Sequence, residues 1–460
     1  MAHDTGVPNG ALKEALREAG LTYQQLAVDV RQIGALAGHD LRTNKSAVAH
    51  WVRGLEPEPA TAAYIAEAIS RRVGREVPPT ELGFTPRTWT SPTPLLGLGV
   101  GPDPVTILRR VGEADIQRRK FLTGAAYCVA AAALPLGTEQ AQAYAARTTG
   151  PRAGRPELDA VRDMTAAFTA VDERYGGQHG RRAVVQYLTG EVTDLCESRF
   201  ATEAEHREAL GLAANVAYLC GWKAYDAAEH GLAQRYYLQA YTLTREAGDE
   251  QHGAWLLRIM AHNGMDIRQP EHTLALAEAA LDRVRGRVSP MTEALFAITR
   301  ARALAAASRG PEAATQIRQA QDLVRRGEEE EVAHWAALWG SPAATVSSHT
   351  AKTFRALGDH RNAERHYATS IRKRRGTAGQ HRISALTLSA QGEEQAAQGH
   401  LEAACGTWGD ALTLFSGVRS TRAVDAVRGM RSTLKVFEAR GVRVAADLSE
   451  RARDWELAHA

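Results

Sequence analysis

The chain has 460 residues, with 56 Lys and Arg against 53 Asp and Glu, so it is too long for one ordinary core and its formal net charge is only +3. That balance excludes a uniformly basic nucleic-acid-coating protein, and any contact with DNA has to come from a local patch. Aromatic residues make up 6%, alanine is abundant and β-branched runs are scarce, which predicts an all-α protein.

In chain order, a first helix is expected from about Asn9 to Ala19, with Leu12, Ala15, Leu16 and Ala19 on one face and Gly20 ending it. Thr22 caps a second, which turns Leu26, Ala27, Val30 and Ile33 inward. A third starts near Thr43 or Asn44 and stops at Arg53, ahead of Gly54 and Pro57, and a fourth spans about Thr61 to Val73. Residues 1–86 therefore form one small helical domain. From Gly83 to Pro104, prolines and glycines crowd the sequence as in a linker, and residues 87–156 are expected to be that linker followed by an apolar docking segment. Residues 157–460 read as helical throughout.

In that last region a phrase recurs. Gly358 and Gly399 are each followed by an alanine five places on, by an aromatic (Tyr367, Trp408) nine places on, and by a small-then-aliphatic pair. Weaker copies surround Ala228, Pro270 and Gly310, and one interval is longer than the rest. The pattern resembles the tetratricopeptide repeat, in which small residues let paired helices approach closely and an aromatic fills the gap to the next pair. The resemblance implies an α-solenoid with a concave binding surface, and Trp222, Tyr225, Tyr236 and Trp255 are its candidate effector-binding residues. Tyr237, Trp335 and Trp339 are further aromatics placed to line the groove. Each of these, taken alone, suits interlayer core better than ligand contact, because an aromatic at helical spacing more often fills core.

Arg42, Lys45 and Arg53 put three positive charges and no negative one on the third helix, in a domain with nine basic and ten acidic side chains over residues 1–86. Ser46-Ala47-Val48-Ala49-His50-Trp51-Val52-Arg53-Gly54, with Leu55-Glu56-Pro57 after it, resembles the recognition helix and exit turn of the Xre (lambda-repressor-like) helix-turn-helix family. Thr22-Tyr23-Gln24-Gln25-Leu26-Ala27 resembles that family's second helix. Tyr23, and the long link from Gly34 to Leu41, depart from its pattern. The resemblance implies that Asn44, Lys45, Ser46 and His50 reach base edges, that Arg42 and Arg53 meet phosphates, and that Gln24 and Gln25 touch the DNA backbone.

Arg118-Arg119-Lys120-Phe121-Leu122 and the apolar run to Leu136 read like a twin-arginine export signal. Its place deep in the chain favours a buried helix or hairpin docked on the repeats or on a second subunit. Cys128, Cys196, Cys220 and Cys405 form no Cys-x-x-Cys pair, so neither a zinc site nor a disulfide framework is expected. Gly97-x-Gly99-x-Gly101 lacks a preceding strand, the run Glu328 to Glu331 reads as a solvated helix face, and no phosphate-loop, zincin or nucleophile-elbow motif occurs. No enzyme, cofactor or metal is expected. The helix-turn-helix with tetratricopeptide-like repeats resembles regulators of development and secondary metabolism in high-GC Gram-positive bacteria. That resemblance implies a cytoplasmic homodimer without membrane attachment, double-stranded DNA as one partner, and a peptide, small molecule or protein as effector. The alternative is a tetratricopeptide adaptor whose N-terminal module binds protein.

Overall fold

The computed structural model describes residues 8–36, 41–73, 77, 79–85, 103–116, 150–266, 270–327, 332–337, 340–374 and 379–459. Among them there is no β-strand, only an isolated parallel bridge between Arg152 and Arg199. The fold is all-α, as the composition implies.

The N-terminal domain comprises α1 (Gly10–Glu18), α2 (Tyr23–Leu36), α3 (Lys45–Val52) and α4 (Pro59–Val73). Its helix starts follow from capping side chains: Asn9 Oδ1 accepts from the Leu12 N–H and Asn44 Oδ1 from the Ala47 N–H, each at 2.9 Å. Thr22 and Gln25 cap each other reciprocally at the start of α2. Leu12, Leu16, Leu26, Ala27, Val30, Val48, Trp51, Ile65 and Ile69 close a separate small core. α4 begins two residues before its expected start, because Pro59 suits the first helical position, where no N–H is needed.

A fifth helix, α5 (Pro104–Ile116), stands where the sequence reads as linker. Asp103 Oδ1 accepts from the Thr106 N–H at 3.0 Å, and Leu108 and Val111 enter the main core of the repeats, so that unit starts before residue 157. The run from Arg118 to Leu136, Gly97 to Gly101, Cys128, Glu328 to Glu331 and Trp339 lie outside the described residues.

Next come α6 (Arg155–Tyr175), α7 (Arg181–Tyr187), a π-helical segment (Leu188–Val192) and α8 (Thr193–Cys196). Six antiparallel pairs follow: α9 (Glu203–Asp226) with α10 (His230–Glu246), α11 (Glu250–Asp266) with α12 (Pro270–Val284), and α13 (Pro290–Ala306) with α14 (Gly310–Arg326). Beyond the short α15 (His334–Ala337) are α16 (Pro342–Ala356) with α17 (His360–Arg374), α18 (His381–Ala397) with α19 (Leu401–Leu414), and α20 (Thr421–Glu438) with α21 (Arg443–His459). Tyr237 and Trp408 fill close approaches inside their own pairs, against glycines other than Gly358 and Gly399, which stand at turns with positive φ. A Cβ on Gly221 of α9 would collide with the Tyr237 ring of α10, and one on Gly392 of α18 with the Trp408 indole of α19. The long interval holds α15, whose buried Trp335 packs against Trp255 and Phe296 with ring centroids 5.6 and 6.3 Å away.

The array then curls back on its own beginning. The Arg419 N–H donates to the Tyr175 carbonyl at 2.7 Å, and the Gln178 N–H to the Arg419 carbonyl at 3.3 Å. Gly176, at φ +93°, lies against the Arg419 backbone where no side chain fits. Arg382 of α18 seals the junction. Its guanidinium lies 2.7 Å from Asp172 and 2.8 Å from Glu173 on α6, and 3.3 Å from Asp226 on α9. Lys223 Nζ adds a 3.1 Å bond to Asp172.

Candidate functional site

The first helices of successive pairs turn one face toward a common cleft. On α11 that face is Trp255, Arg258, Ile259, His262, Asn263 and Asp266, a stripe at three- and four-residue spacing. On α16 it is Thr345, Ser348, His349 and Lys352; α9 adds Tyr218, Trp222 and Tyr225, α13 adds Arg302, and α20 adds Arg422. Glu173 and Arg374, beside the closure, complete the wall. The cleft encloses about 970 Å³ of non-atom space, partly open to solvent.

Five cationic side chains line it against two carboxylates, and both carboxylates are already engaged. Glu173 is held by Arg382. Asp266 accepts a short hydrogen bond from the Tyr225 hydroxyl and lies 3.7 Å from Arg302. Burial alone would raise the Asp266 carboxyl, but Arg302, Lys352 and the Tyr225 bond outweigh it and hold it below its usual range. Arg302 also donates to His262 Nδ1 at 2.6 Å, so neutral His262 carries its proton on Nε2, which faces Thr299 Oγ1 at 2.9 Å. Burial, reinforced by Arg258 and Arg302, pushes the His262 imidazole well below its ordinary value, in keeping with that tautomer. His349 meets it edge-on, ring centroids 4.5 Å apart.

Three cations remain without a counter-ion. Among the described residues no carboxylate lies within 4.0 Å of Arg258, Lys352 or Arg374. Burial comes first among the causes that lower them, to about 9, about 7 and about 10 respectively. Several polar atoms are also unsatisfied. Asn263, 2% exposed, has no partner for its Oδ1 or its Nδ2, and neither do His349 Nδ1 and Trp255 Nε1.

The aromatics proposed from the sequence divide. Trp222, Tyr225 and Trp255 line the cleft, yet they serve as platforms for arginines: the Arg422 guanidinium sits 5.7 and 5.1 Å from the Trp222 and Tyr225 centroids, and that of Arg258 sits 4.5 Å from Trp255. Tyr236 is turned away into the core, where its hydroxyl donates to Asp115 of α5 at 2.9 Å. Tyr237 reaches the wall, whereas Trp335 is core.

On the N-terminal domain, Gln24, Arg42, Asn44, Lys45, Ser46 and Arg53 are exposed and His50 is half-buried, while Val48, Trp51 and Val52 face the core. Two of these candidates have structural duties. Asn44 Oδ1 and Gln25 Oε1 are consumed in helix caps, which leaves Gln24, Arg42, Lys45, Ser46 and Arg53 as the exposed candidates not engaged at a helix start. Glu67 of α4 and Arg235 of α10 are both buried, and the Glu67 charge partly offsets the burial that lowers the Arg235 guanidinium.

Among the described residues no three His, Cys, Asp or Glu side chains gather as a metal site, and no helix is long and apolar enough to cross a membrane. Cys196, Cys220 and Cys405 are buried free thiols.

Residues 12–85 match the SP15 N-terminal domain. That match covers the N-terminal domain and stops before α5. The chain is also similar to the crystal structure of a Rap protein complexed with Competence and Sporulation Factor, at 15% identity and a TM-score of 0.37, over 65% of this chain and 96% of that one. So loose a likeness places no residue of the cleft. Neither match is to the Xre family, and no curated protein matches the chain.

Proposed function

We propose that the protein is an effector-binding regulator whose tetratricopeptide-like repeats form the receptor. One observation carries this reading: Asn263 is buried in the cleft wall with both amide atoms unpartnered. An unsatisfied buried polar group costs about 1–3 kcal/mol, a cost that a ligand able to bond it removes. The wall combines aromatic rings with convergent polar groups, as ligand pockets do. The test is native mass spectrometry of the full chain isolated from cell extract, beside Ser348→Trp, which fills the cleft. A ligand retained by the wild type and missing from the variant supports the receptor; identical spectra refute it.

A second reading concerns the output. The exposed face of α3 with Arg42, Lys45 and Ser46 favours DNA as what the N-terminal domain contacts, and two copies acting together would double the few bases that one such helix reads. A gel shift with the double variant Lys45→Glu, Arg53→Glu decides it. Loss of DNA association supports the helix-turn-helix assignment; unchanged association refutes that assignment, and no association by the wild type leaves the protein an adaptor whose N-terminal domain contacts protein.

A further inference from the structure

We infer that the ligand of this cleft is a small polyanion, bringing at least two negative charges as phosphoryl or carboxylate groups to Arg258, Lys352 and Arg374. The inference rests on the receptor reading and names the chemistry of what that receptor takes. Its basis is charge accounting in a confined space. Taking a cation out of water is costly unless an opposite charge or a full set of hydrogen bonds replaces the water, and the two carboxylates in the wall are committed to Arg382 and Arg302. Arg258 spends its Nε on the Leu295 carbonyl at 2.9 Å and rests on the Trp255 face, which leaves the outer edge of its guanidinium for a ligand. Arg374 donates to the Ser370 hydroxyl and feels the Glu173 carboxylate only from beyond 4.0 Å, and half-buried Lys352 makes no hydrogen bond or ion pair with any described side chain. The neutral His262 and His349 rings pack on each other and add no counter-charge. Trp222 and Tyr225, with Arg422 across them, form an apolar and cationic flank for the rest of the molecule.

A proton count follows. Lys352 faces Arg302 of α13, Asp266 and His262 of α11, Arg422 of α20, and Arg355 and His349 of its own helix; its amine is lowered to about 7 by burial and by the surrounding guanidinium groups. A bound anion reverses the sign of that environment and draws a proton onto the amine. Binding at about pH 8 of an anion already fully ionised there, as citrate is, therefore takes up close to one proton per ligand, whereas pyrophosphate still carries most of a proton at that pH and gives up part of it on binding.

The test is calorimetric titration of the full chain at about pH 8, in buffers of different ionisation enthalpy, with pyrophosphate, citrate and spermine as probes. The expected result is binding of an anion with proton uptake, none of spermine, and affinity lower by on the order of tenfold to a hundredfold in Lys352→Met and Arg374→Gln, with the uptake lost in Lys352→Met. Tighter binding of pyrophosphate assigns a phosphoryl ligand, and tighter binding of citrate a carboxylate. Equal anion binding by wild type and both variants overturns the inference. So does failure of both anions to bind while a neutral or cationic ligand is recovered with the chain, an outcome that leaves the receptor standing. No anion binding and no recovered ligand removes both. Should Arg374→Gln fail to fold, Lys352→Met alone decides, because it removes a charge that has no native partner.

Discussion

The closure between α6 and α18 and the cleft beside it use the same residue types to opposite ends. At the closure Arg382 is 1% exposed and meets three carboxylates; burial works against its charge, but Asp172, Asp226 and Glu173 outweigh that and drive its pKa upward. In the cleft, Arg258 is almost as deeply buried and meets none, and its pKa falls. A buried charge with partners is a structural joint, whereas one without them is a site that the fold alone does not complete.

The comparison can be broken most forcefully at the closure. Arg382→Met strands Asp172, Glu173 and Asp226 among weaker partners and should cost about 3–5 kcal/mol in denaturant unfolding, a loss too large to overlook. A variant that unfolds like the wild type would show that the joint contributes nothing. The cleft should answer with the opposite sign: Lys352→Met, measured the same way near neutral pH, should be neutral or up to about 2 kcal/mol more stable.

The pH dependence sharpens this contrast. Because the amine is depressed to about 7 in the folded chain and is ordinary when unfolded, the unfolded chain binds more protons between about pH 7 and 10.5, so the Lys352 contribution to stability rises with pH over that window. Midpoints for wild type and Lys352→Met should converge as pH increases from about 7 to 9; parallel curves would mean that the amine is not perturbed. The smallest effect belongs to an exposed pair. Asp282→Asn, which removes the 3.4 Å contact with Arg285 on the surface of α12, should change stability by less than about 0.5 kcal/mol.

The sequence discloses these regions unequally. In the N-terminal domain the decisive signals are local: Asn9, Thr22 and Asn44 each announce a helix start within four residues, so its helices are legible to within a residue or two. The repeats are legible through Tyr367 and Trp408, nine places after Gly358 and Gly399, whereas Gly221 and Gly392, against which Tyr237 and Trp408 pack, belong to no such phrase. α5 was hidden because Pro104 reads as linker punctuation, although Asp103-Pro104 is also the signature of an N-cap followed by a first-turn proline. The cleft had a fainter signal. Arg258, His262, Asn263 and Asp266 form a polar stripe on a helix whose other residues from Ala254 onward are apolar or glycine, and only the superhelix shows that the stripe faces inward. Nothing local announces the closure, since Arg382 and Asp172 lie far apart in the chain and meet only when the array has curled through all its intervening turns.

The most direct test is thermal unfolding of the full chain and of Lys352→Met, each with and without pyrophosphate near neutral pH. The variant should melt at or above the wild type in the absence of anion, and pyrophosphate should raise the melting temperature of the wild type much more than that of the variant. A variant that melts lower without anion, together with equal anion shifts in both proteins, would contradict this reading of the cleft.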